Sequence, residues 1–176
     1  MKFSNRLLKE KSDLLKLESQ LVFIEKKTGK KSLKWNKKSL KWKKTNNRIK
    51  SKYLKELIKI NELKNSIFYS QYHLSKEYSK LTSLTIAKAV LMKENRDYSV
   101  TIIIDGLNDK ERAVVRDELK KLKINYRKIR GMKDGQSVFL RLSDSMAGLL
   151  RDMIEGKKYA QNIMKKLITT KIVTET

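Results

Sequence analysis

The side chains best placed for chemistry are carboxylates. Asp105 closes the most hydrophobic run of the 176-residue chain, residues 98–104, and Gly106 follows at once. In open α/β sheets, ligand and metal groups gather at the carboxyl ends of strands, where loops open above a rigid edge. A plain turn after a strand is the competing reading. Asp144 stands on the polar side of a helix over 138–155, sharing that face with Arg151 and Glu155, with Ala147 and Gly148 one turn on. A solvated helix face is the alternative there. Glycine inside a helix costs about 1 kcal/mol relative to alanine, so Gly148 is expected to lie close to a neighbouring backbone. Asp134, in the loop 131–135, is a third carboxylate, and its other reading is a turn or capping residue. Carboxylates converging from a strand end and a helix can hold Mg²⁺ (or Mn²⁺), a hard ion that keeps waters for a phosphate to displace. A pair of such ions stabilises the attacking and leaving oxygens of a phosphodiester. Asp105, Asp144 and Asp134 are therefore the candidate catalytic residues, with Asp105 and Asp144 as metal ligands.

A polyanion is the partner that the charge selects. Lys and Arg number 43 against 19 Asp and Glu, a net charge of +24. Such a field attracts nucleic acid first and an anionic membrane surface second, and carries no information about fold. Lysine written freely by an AT-rich genome would give the same numbers. Residues 1–100 carry a net +17 and residues 101–176 a net +7. Between Lys26 and Lys52 lie 13 basic residues and no acidic one, including a tandem copy, 30–36 followed by 37–43. Both tryptophans, Trp35 and Trp42, sit in it among Lys34, Lys41, Lys43, Lys44 and Arg48. Aromatic faces that stack on bases, flanked by cations that find phosphates, are the ingredients of single-strand binding. A solvated, duplicated loop is the plainer reading. Arg130 adds a cation near the carboxylates.

The composition also excludes chemistry. There is no Cys, hence no disulfide, thiolate metal site or cysteine nucleophile, and one His, His73, which rules out a multi-histidine site and reads as a surface or packing residue. No phosphate-binding glycine loop or nucleophile elbow occurs. No apolar run nears the roughly 20 residues that span a bilayer, and no signal-peptide core opens the chain. The expected location is the cytoplasm.

Apolar spacing predicts an amphipathic helix over 4–27, a poorly ordered stretch over 26–45, and a second helix carrying Ile49, Tyr53, Leu54, Leu57, Ile58 and Ile60. A strand is expected over 67–72 and a helix over 81–93. The β-branched run 98–104 reads as a strand buried on both faces. A helix over 109–122, a strand over 125–130, the helix to Gly156 and a last helix over 159–167 follow. Strands alternating with helices argue an α/β layered domain. The expected division is a basic helical region, 1–62, an α/β core, 63–168, and a tail, 169–176.

Residues 98–106, the turn Lys128 to Asp134 and the segment Leu140 to Gly148 resemble, in order and spacing, the C-terminal motifs of the bacterial family called domain of unknown function 3800. The resemblance covers about residues 10–160 and is strongest after Tyr98. It implies an incomplete ribonuclease H-like mixed sheet flanked by helices, with a basic N-terminal helical extension. It matches Asp105 and Asp144 to metal ligands and Asp134 to a recurring acidic position. The Lys-Trp stretch and the helix from Arg48 to Leu57 look like the family's middle region, with seven residues inserted. Family members open on a strand ending in Asp-Glu-Ser, which supplies a central metal ligand. This chain begins about where the following helix would lie, so that strand is expected to be missing. The leading expectation is a Mg²⁺-dependent nuclease-type domain, possible as an enzyme but impaired by the missing strand. The alternative is a non-catalytic nucleic-acid-binding remnant, or a subunit that gains a strand from a protein partner or a second copy through an exposed sheet edge.

Overall fold

The computed structural model describes residues 2–29, 42–72, 76–93 and 98–176, with side chains from Ser12 onward. The order of elements is α1 (Lys2–Gly29), a 3₁₀ turn (Trp42–Lys44), α2 (Asn47–Leu57), a 3₁₀ turn (Asn61–Leu63), β1 (Ile67–Tyr69), α3 (Tyr78–Lys93) and β2 (Val100–Asp105). Then come α4 (Asp109–Lys121), β3 (Tyr126–Met132), a 3₁₀ turn (Asp134–Gln136), α5 (Val138–Ile154), α6 (Lys158–Thr169) and β4 (Val173–Glu175). The fold is mixed α/β. Its strands form two separate two-stranded parallel sheets, β1 with β4 and β2 with β3, in place of the single mixed sheet expected. No helix among the described residues is long and apolar enough to cross a membrane.

Two apolar cores follow from this division. In the smaller, Ile102 and Ile104 of β2 and Ile129 of β3 meet Ala87 of α3 and Val115 and Leu119 of α4. Asn108 and Glu111 start α4 with a reciprocal capping box, which satisfies two of its otherwise orphaned N–H groups. Only one face of β2 is buried. Ile103 is 41% exposed, which corrects the expectation of a strand covered on both sides. The physical reason is that α3 and α4 pack on the Ile102 and Ile104 face, leaving the alternate residues uncovered.

The larger core draws on both ends of the chain. Leu21 and Ile24 of α1 and Tyr53, Leu54 and Leu57 of α2 share one cluster with Leu142 and Leu149 of α5 and Ile163 and Leu167 of α6. The basic helical region is thus part of the core and no extension of it. The segment expected as a tail is equally integrated: Ile172 and Val173 are buried, and Val173 pairs with Ile67. The ends of the stretch expected to be poorly ordered are regular, since α1 runs to Gly29 and Trp42–Lys44 forms a turn. Residues 30–41 lie outside the described residues.

Helix α5 is held from three sides. Arg141 donates from Nε and Nη2 to both carboxylate oxygens of Glu25, each at 2.8 Å, an enclosed bidentate pair joining α5 to α1. Farther along, Gly148 faces the indole of Trp42, and a Cβ there would overlap the ring. The neighbour that demands glycine is therefore a side chain, where a backbone was expected. At its C-terminal end, buried Asp152 gathers donors from three other elements.

Candidate functional site

Fixing α5 in this way turns its opposite face, with Leu140, Ser143, Asp144 and Ala147, toward a cleft of about 560 Å³. The strand end and the helix meet there. Asp105 and Asp144 line this one cleft, with Ile103 and Ile104 of β2, Phe68 and Tyr69 of β1, and Tyr78 and Thr82 of α3. Both carboxylates are exposed to solvent. Asp105 ends β2, where Gly106 takes a left-handed conformation (φ 65°) that turns the chain away. Gly131 of β3 lets the loop after β2 close in, its Cα approaching the backbone of Leu107 too tightly for a side chain. Asp134 opens the 3₁₀ turn between β3 and α5, and its side chain lies outside the described part of the structure.

Two exposed carboxylates lining one cleft are hard oxygen donors of the kind a divalent cation takes. Among the described residues, no cluster of three or more His, Cys, Asp or Glu side chains is assembled.

The expected nucleic-acid residues divide into three groups. Trp42 must be corrected. Its ring is 1% exposed, against Gly148, with the Lys50 ammonium 4.8 Å from its centroid, and it offers no face to a base. Lys43, Lys44, Arg48 and Arg130 are exposed and able to meet a polyanion. Trp35, Lys34, Lys41 and also His73 lie outside the described residues.

Sequence reasoning missed the most highly connected polar group. Asp152, 2% exposed, accepts from Trp42 Nε1 (3.0 Å) and Lys50 Nζ (2.9 Å) on Oδ2, from Lys157 Nζ (2.6 Å) on Oδ1, and from the Tyr159 hydroxyl. Burial alone would raise its pKa. The donors from Lys157, Tyr159, Lys50 and Trp42 outweigh burial and hold the carboxyl well below the usual carboxylate range. Burial and the same carboxylate push the Tyr159 hydroxyl upward. A signal existed: Val138, Leu142, Ser145, Leu149 and Asp152 recur every three or four residues, so Asp152 falls on the core stripe of its helix.

Comparison with family models, curated proteins and solved structures finds no match to this chain.

Proposed function

We propose that the chain is a Mg²⁺-dependent, ribonuclease H-like phosphodiesterase domain acting on nucleic acid in the cytoplasm. The supporting observation is that Asp105 and Asp144, 39 residues apart in sequence and on different elements, line a single cleft. Asp105 and Asp144 would hold the ion, which when bound supplies Lewis-acid polarisation of a phosphoryl oxygen. The two carboxylates would fix where a phosphate can dock, beside the apolar side chains of Leu140, Ile103 and Leu150. The net charge of +24 draws a polyanion to the chain as a whole.

The test is cleavage of labelled DNA and RNA with Mg²⁺ or Mn²⁺. Cleavage that requires the metal and falls at least about 100-fold in both Asp105→Asn and Asp144→Asn supports the reading, a loss comparable to removing one electrostatic stabiliser. Metal-dependent cleavage that survives both substitutions refutes it.

One observation favours a second reading, a subunit completed by another chain. Consecutive residues of β1 (Ile67, Phe68, Tyr69) and of β2 (Ile103, Ile104, Asp105) line the same cleft, so the edges of two short sheets face it. Unpaired strand edges take up further strands. On this reading the chain alone binds nucleic acid and cuts only when a carboxylate-bearing strand is supplied by a partner or a second copy.

A further inference from the structure

Lys128 and Arg130 stand on the face of β3 that continues Ile103 and Asp105 of β2, two residues that line the cleft. In the parallel ladder Lys128 pairs with Thr101 and Arg130 with Ile103, and Asp105 lies two residues beyond Ile103 on the same face. The opposite face of the sheet is buried by α3 and α4, so this one is open. Both cations are exposed, and neither forms an ion pair among the described residues. They stand one strand spacing, roughly 4.8 Å, from the row of β2 that leads into the cleft, and about 6.6 Å from one another along β3. Tyr78, at the start of α3, lines the same cleft as Ile103 and is 68% exposed.

We propose that the β2–β3 face is a track for single-stranded nucleic acid, with Lys128 and Arg130 on successive phosphates and the bases turned toward Ile103 and Tyr78. The cations supply sequence-independent attraction, and an exposed ring beside an apolar side chain supplies stacking that a closed duplex cannot use. Trp42 is enclosed and Trp35 lies outside the described residues; among the described aromatic residues lining the cleft, Tyr78 is the most exposed. The proposal rests on the cleft being the phosphodiester site, since the track delivers a strand to Asp105.

The test is fluorescence anisotropy of a labelled single-stranded oligonucleotide and its duplex, in EDTA, at two salt concentrations. Lys128→Glu with Arg130→Glu should weaken single-strand binding at least about tenfold and lower the salt slope by roughly 1.4, two phosphate contacts at about 0.7 each. Tyr78→Ala should weaken single-strand binding at least about fivefold and leave duplex binding within about twofold. Lys165→Glu with Lys166→Glu, exposed on α6, removes the same charge elsewhere and should cost less than about threefold. Equal losses from the two double variants, or a Tyr78→Ala loss shared by duplex and single strand, overturn the track. Because no metal is present, failure of cleavage leaves this result untouched.

Discussion

The indole N–H of Trp42 donates to Asp152 Oδ2 at 3.0 Å, across 110 residues of sequence. This bond joins the turn Trp42–Lys44, inside the basic stretch, to the last turn of α5. Lys50 reaches the same oxygen at 2.9 Å and lies over the ring, so the indole and the ammonium share one carboxylate. The arrangement locks the N-terminal helices onto the helix whose other face carries Asp144.

Breaking that lock should cost stability in a graded way. Trp42→Ala should cost about 3–5 kcal/mol, as for large aromatic truncations in cores. Trp42→Phe, which keeps most of the ring and removes one of four donors, should cost about 1–3 kcal/mol. Asp152→Ala strands the enclosed Lys50 ammonium and should cost about 3–5 kcal/mol. Urea unfolding measures all three. A Trp42→Ala cost below about 1 kcal/mol would place the ring outside the core.

The Asp152 carboxyl also sets an acid limit. Its folded pKa lies below the roughly 3.9 of an unfolded aspartate. The folded state therefore binds fewer protons, and the stabilisation is present above the unfolded value and lost as pH falls toward the folded one. The gap in unfolding free energy between the parent and Asp152→Asn should be widest near about pH 6 and shrink steadily below about pH 4. A gap constant over that range would show that another carboxylate governs acid unfolding.

Gly148→Ala separates helix propensity from packing. Alanine should gain about 1 kcal/mol in an open helix, yet here its methyl group meets the Trp42 ring. Overpacking of this kind costs about 1–3 kcal/mol and displaces the ring. In a Trp35→Phe background, the variant should unfold at lower urea and its tryptophan emission should move to the red. A stabilised variant with unshifted emission would mean that the ring yields freely.

Much of the second half was legible because its signals are local. The β-branched run marks β2, and the three- and four-residue spacing marks α5. What stayed hidden depends on partners far away in sequence. β4 is three residues long and acquires meaning only by pairing Val173 with Ile67. The basic spacing around Trp42 suggested solvent, while its burial depends on a glycine 106 residues later. Ile103 belongs to an apolar run that reads as doubly buried, but one of its faces opens on the cleft. Asp105 and Asp144 were legible as candidates, and their meeting in one cleft required the fold.

The central claim is that Asp105 and Asp144 jointly hold one divalent ion, and Mn²⁺ binding measured by water-proton relaxation tests it without any need for turnover. The parent should bind one Mn²⁺ competitively with Mg²⁺, and Asp105→Asn and Asp144→Asn should each weaken it at least about tenfold, the loss of one charged ligand from a site with few. The double variant should bind more weakly than either single one, but by less than the two losses multiplied, because ligands of one ion are not independent. Binding that is unchanged in either single variant, with the fold intact by circular dichroism, would contradict a shared site.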